Sequence, residues 1–150
     1  MGLDMYLYKR TNLRSSRWAK GNDSVILLRN GKIDYTIKPD RVVEVTEDII
    51  YWRKANHIHK WFVDHCAEGK DECQEIYVDK DDLSELVHTC IKVLNNHALS
   101  EQLLPTASGF FFGSTEYDEY YYGSLKELVD TLEPELKEDD DSYYIYRASW

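Results

Sequence analysis

The sequence predicts an α+β fold, a small and mainly antiparallel sheet packed against three helices. Three observations lead there. Leu3, Met5 and Leu7 alternate with Asp4, Tyr6 and Tyr8, the period of a strand with one aliphatic face. Asn30 and Gly31 lie between two β-prone runs, and both tolerate the positive φ of a tight hairpin turn. Leu83, Leu86, Val87, Cys90 and Leu94 repeat at helical spacing, as do Leu125, Leu128, Val129, Leu132 and Leu136. With 150 residues and 43% hydrophobic content the chain can fill one core, so a single domain over 1–150 is expected.

In chain order, strands are expected near 2–9, 24–38, 74–78, 110–113 and 143–148, and helices near 47–67, 80–96 and 124–137. Residues 11–24 read as a polar loop with Arg14, Arg17 and Lys20 around Trp18, an anion or partner contact if it is more than surface. The first helix is expected to start behind Thr46 as N-cap, with Glu47 and Asp48 in its positive first turn, and to end before Gly69. Asp79 caps the second helix. A capping box from Ser124 to Glu127 opens the third, which Pro134 disturbs. Phe110 to Phe112, between Gly109 and Gly113, read as a short buried strand, and Glu138 to Asp141 as a solvated acidic turn.

On a helical wheel Trp52, Ala55, Ile58, Phe62, Val63 and Cys66 share one face, opposite Arg53, His57, Lys60 and Asp64. His57, Trp61 and His65 form a row toward that other side. Asn56 and His59 fall inside the apolar arc, where an unpaired polar group costs about 1 kcal/mol or more. His57 and His59, two positions apart, point in opposing directions, which excludes a histidine-pair metal site; neither metal nor cofactor is expected.

Charge is segregated. Residues 1–60 hold twelve Lys+Arg against seven Asp+Glu, and 61–150 hold six against twenty-one. The acidic half repels phosphate backbones, so direct nucleic-acid binding is not expected unless the basic cluster stands apart in space. No apolar run is long enough for a membrane span. Cys66, Cys73 and Cys90 lack metal-type spacing and read as free thiols of a reducing compartment, with a Cys66–Cys73 bridge as the alternative.

Three stretches carry a resemblance: MGLDMYLYKR at the start, YWRKANHIHKWFV over 51–63 and LLPTASGFFFGSTEYDEYY over 103–121. Through them the chain resembles a group of small bacteriophage and prophage proteins to which no reaction is assigned. The resemblance implies an origin in phage or mobile-element genomes and a cytoplasmic life in a bacterium, and supplies no site residues; the role expected on that footing is a binding protein of host takeover or counter-defence.

Residue chemistry therefore has to supply the site. Arg53, Lys54, Asn56 and His59 on the first helix, with Ser114, Thr115, Tyr117 and Tyr120, make a candidate pocket for a small polar, nucleotide-like ligand. Asp118 and Glu119 would oppose an anion there. An alternative is a small hydrolase or phosphoesterase in which His59 works with Asp118 or Glu119 and Ser114 or Thr115 lies near the reacting centre; the familiar nucleophile and phosphate-loop motifs are missing. Other readings are a bacterial host protein as partner, with the acidic half imitating nucleic acid, and an accessory protein in which Asn56 and His59 only fix packing against the 110–112 carbonyls.

Overall fold

The computed structural model describes residues 2–13 and 26–150, so the basic loop with Trp18 and the first part of the expected 24–38 hairpin lie outside the described residues. β1 (Asp4–Asn12) is central, antiparallel to β4 (Glu44–Arg53) on one side and to β6 (Ser142–Ser149) on the other. β6 in turn pairs with β5 (Ile76–Val78), so the four-stranded antiparallel sheet runs β4-β1-β6-β5. A separate two-stranded hairpin, β2 (Leu28–Arg29) with β3 (Lys32–Ile33), turns on Asn30 and Gly31, both at positive φ as the sequence indicates. Three longer helices complete the fold, α1 (Asn56–Cys66), α2 (Lys80–Asn95) and α4 (Glu119–Glu135), with the single turn α3 (Ser100–Leu103) between the last two.

The sheet packs one face on the helices. Met5 stands opposite Trp52 and Ala148, Leu7 opposite Ile50 and Tyr146, and all are buried with Ile58, Phe62, Leu86, Leu125 and Leu128. α2 begins as expected, Asp79 and Asp82 forming a reciprocal capping box.

Four local expectations are corrected. The run 47–53 is strand: Val45, Thr46, Ile49, Ile50, Tyr51 and Trp52 are β-branched or aromatic, and β1 supplies a pairing edge that outweighs the helix-start signal of Thr46-Glu47-Asp48. One extra residue, Ile49, bulges where the register shifts between Leu7 and Tyr8. Phe110 to Phe112 form a turn, with Phe110 94% exposed and one bridging bond from the Leu3 amide to the Phe111 carbonyl. Gly109 lies flat under the Phe112 ring, where a Cβ would stand 2.6 Å from Cγ. α4 starts five residues before Ser124; Asp118 is its N-cap, accepting from the Tyr121 amide at 3.0 Å, and Ser124 is buried within the helix.

The acidic turn is the fourth. Lys9, 5% exposed, reaches Glu135 at 2.7 Å, Asp140 at 2.6 Å and Glu138 at 3.2 Å, and Lys80 reaches Asp140 at 2.8 Å. Two of the four residues of the turn, Glu138 and Asp140, are thus part of a clamp between β1, the start of α2 and the end of α4, while Asp139 and Asp141 are exposed as expected. All three cysteines are free. Among the described residues no helix is long and apolar enough to cross a membrane.

Candidate functional site

β4 ends at Arg53, and Lys54 turns the chain into α1 at φ +57°, a conformation that a side chain rarely adopts. The turn is held by the Lys54 amide donating to the Leu3 carbonyl at 2.7 Å. Gly113, at φ +86°, lies so close to Lys54 that a Cβ would sit 2.9 Å from the lysine Cβ. This close approach is what the glycine permits.

Asn56 explains how the 105–118 segment is fixed. Fully buried at the first turn of α1, it donates through Nδ2 to the Phe112 and Ser114 carbonyls at 2.9 and 2.8 Å and accepts through Oδ1 from the Ala107 amide at 2.9 Å. One side chain thereby ties both arms of the segment to the helix.

Between these parts opens a cleft of about 430 Å³. It is lined by Arg53 and Lys54 at the end of β4, by Gly113, Ser114, Glu116 and Asp118 of the following loop, by Thr106 and Tyr120, and by the buried His57 and Tyr121. α1 starts here with no side-chain cap. Of the residues expected in a pocket, the cleft brings together Arg53, Lys54, Ser114 and Tyr120, and adds Asp118. Tyr120 donates to the Arg53 carbonyl, closing the wall. Thr115 accepts through its carbonyl from Thr106 Oγ1, Tyr117 packs its ring edge-on against Tyr121, and Glu119 faces a neighbouring groove.

His57 was expected on the polar face of α1 and is 3% exposed instead, 4.2 Å from the Tyr121 ring. Trp61, from the same expected row, is also buried. α4 crosses this side of α1, and its Ser124 explains the histidine's state. Ser124 has one hydroxyl proton and gives it to the Tyr121 carbonyl at 2.7 Å; the 2.8 Å contact with His57 Nε2 is therefore a bond donated by the histidine. Burial pushes the His57 pKa down to about 3, against a small opposing pull from Asp118. The ring is neutral at pH 7, protonated on Nε2.

That depressed value has a sign. The unfolded chain takes up a proton near pH 6.5 that the folded chain refuses, so the His57 contribution is whole above 6.5 and is lost as pH falls toward 3. Relative to His57→Gln, which keeps a donor toward Ser124, the native chain is expected to lose about 2 kcal/mol more between pH 7 and 5. Urea unfolding at the two pH values measures this; equal losses would disprove it.

His59 lies elsewhere. Its Nε2 meets Asp71 at 2.9 Å and its Nδ1 meets the buried Tyr146 hydroxyl at 2.8 Å, while Asp71 also accepts from the Trp150 indole at 3.2 Å. The carboxylate at His59 is thus Asp71, and neither Asp118 nor Glu119; Asp118 is engaged in capping α4. Nor does His59 bond the 110–112 carbonyls: Asn56 takes that of Phe112, and the Leu3 amide takes that of Phe111. Burial holds the Tyr146 phenol well above its ordinary range. With both ring nitrogens occupied, His59 joins α1 to β6 and the 71 turn. It borders a second, shallower cleft with Thr106 and Phe112.

Among the described residues no group of three or more His, Cys, Asp or Glu is placed to hold a metal ion. No family model, no curated protein and no solved structure matches the chain. The functional reading therefore rests on the geometry of the cleft.

Proposed function

We propose that the protein is a phage-type binding protein whose cleft sequesters a small polar, nucleotide-like ligand, with the anionic group at Arg53 and Lys54 and the remainder against Tyr120 and Ser114. The observation that carries this reading is the placement of two cationic side chains, Arg53 and Lys54, on one concave surface with Ser114 and Tyr120. The cleft also carries Asp118 and Glu116, so it suits a ligand that joins an anion to hydrogen-bond donors, as a nucleotide does with its phosphate and base. Binding rather than turnover is favoured because His59 has no free nitrogen and His57 is a buried neutral ring with little basicity. In a phage setting, capture of a nucleotide signal would serve host takeover or counter-defence in the host cytoplasm.

Titration calorimetry against a panel of linear and cyclic nucleotides tests the reading. Arg53→Ala is expected to weaken the best ligand at least about tenfold. Lys54→Gly removes the second charge while relieving the positive φ, so binding should fall without loss of melting temperature. A panel in which nothing binds, or a ligand indifferent to both changes, would rule out this use of the cleft.

A further inference from the structure

β4 is an edge strand of the sheet, and α4 runs beside the end of its outer edge. Between them lies a groove of about 400 Å³, with Tyr51, Trp52 and Arg53 on the strand side and Glu119, Gly123 and Glu127 on the helix side.

The strand side offers backbone. The Lys54 amide donates toward β1, to the Leu3 carbonyl, whereas the Arg53 carbonyl points the other way and accepts from the Tyr120 hydroxyl of α4. Backbone groups of successive strand residues alternate in direction, so the Arg53 amide and both the amide and the carbonyl of Tyr51 also point away from β1. No described residue outside the sheet bonds to these three groups. The Tyr51 amide and carbonyl together are the two-bond unit with which one residue of an antiparallel strand pairs. The Ile49 bulge kinks the edge beyond and confines such pairing to the end beside α4.

The helix side is open. Gly123 lies inside α4, where glycine weakens a helix, yet a Cβ built on it would meet nothing within 4 Å. Packing gives no reason for this glycine, while a long side chain there would fill the groove. Glu119 and Glu127 are exposed and make no ion pair among the described residues, and Lys126, the one cation of α4, is held by Asp130. Glu47 and Asp48, exposed on β4, add to the negative charge. Arg53 opposes it, but lies 3.9 Å from Asp4 and is partly answered there. Four carboxylates against one arginine favour a basic occupant and disfavour a phosphate backbone.

We propose that an extended segment of a partner protein, carrying lysine or arginine at alternate positions, adds to the outer edge of β4 as a further strand. Its backbone pairs with Tyr51 and the Arg53 amide, and alternate side chains enter the groove toward Glu119 and Glu127. In strand addition the main-chain bonds supply affinity and the side-chain sites specificity. The groove borders the cleft at Arg53 and Tyr120, so the test uses residues that the cleft lacks, and loss of peptide binding is separable from loss of nucleotide binding.

Selection of a random-sequence library of short linear peptides on the full chain tests this. Enriched peptides are expected to be rich in lysine or arginine and, by fluorescence anisotropy, to bind more weakly as salt rises. N-methylation of the alternate amides that face β4 should abolish binding, and methylation of the other set should not. Gly123→Leu should weaken the selected peptide at least about tenfold with no fall in melting temperature. Glu119→Gln/Glu127→Gln, at exposed positions, should weaken it as well and reduce the salt dependence. A library that yields no binder, binders that are acidic or indifferent to N-methylation, a peptide held equally by both variants, or a groove that instead takes single-stranded DNA or RNA or a second copy of this chain would each overturn the proposal.

Discussion

Asn56→Ala is expected to destabilise the protein by about 3 kcal/mol or more, because three hydrogen bonds lose their partner at once and buried polar groups left unmet cost about 1 to 3 kcal/mol each. The groups involved are the Phe112 and Ser114 carbonyls and the Ala107 amide. Typical domains have only about 5 to 15 kcal/mol in hand, so the loss is a large share of the whole. Asn56→Asp separates bonding from packing. It preserves shape and the acceptor for Ala107, yet sets a carboxylate oxygen against two carbonyls, and should be at least as damaging as alanine. Urea unfolding gives both values. A loss below about 1 kcal/mol for alanine would mean that the 105–118 segment is held by its ring contacts instead.

The second large effect belongs to Lys9. Lys9→Met should cost about 3 kcal/mol, since removing one member of a buried ionic group leaves the others without compensation. Glu138 is 63% exposed, which keeps the effect at the lower end, while Glu135 and Asp140 are 18% and 28% exposed and lose more. The pH dependence follows from the same contacts. Hydrogen bonds from Lys80, then Lys9 and Ser142, hold the Asp140 carboxyl well below its ordinary range. Its contribution is complete above the unfolded carboxylate pKa, about 3.9, and is lost as pH falls below it. For Lys9, burial pulls the pKa down, but the bonds it donates to Asp140, Glu135 and Glu138 win and raise it, so this contribution holds below about 10.4 and is lost as pH rises above it. Lys9→Met should therefore flatten both the acid and the alkaline limb of the stability profile. Unchanged limbs would show that the cluster contributes nothing net.

Local patterns sufficed for β1, α2, β5 and β6, where alternation or helical spacing agrees with the final environment. They failed over 47–53, because Thr46-Glu47-Asp48 resembles a helix start and only the distant β1 makes the run a strand. The helical phase beyond that point still held, and Asn56 and His59 do face inward. His57 was misplaced because a wheel gives a helix one covered side, whereas α1 is covered by the sheet on one side and by Tyr121 and Ser124 of α4 on another. Within the cleft, Arg53, Lys54, Ser114 and Tyr120 were recognisable from residue type, and Gly113 from its place beside the aromatic run. Asp71 was not, since a carboxylate in a polar turn carries no local sign of the histidine it will meet.

The position of β6 inside the sheet governs when this protein can fold. Asp4 pairs with Ser149, so the central strand made first finds one of its two neighbours only when the 142–149 segment has been synthesised. Until then β5 has no partner and β1 presents an unpaired edge, the two hazards that invite mispairing between nascent chains. Closing so long a loop also slows the pairing itself. Assembly of the sheet thus waits for the 142–149 segment, and a polypeptide ending before Ser142 retains the helical stripes but loses the strand that joins the two halves of the sheet.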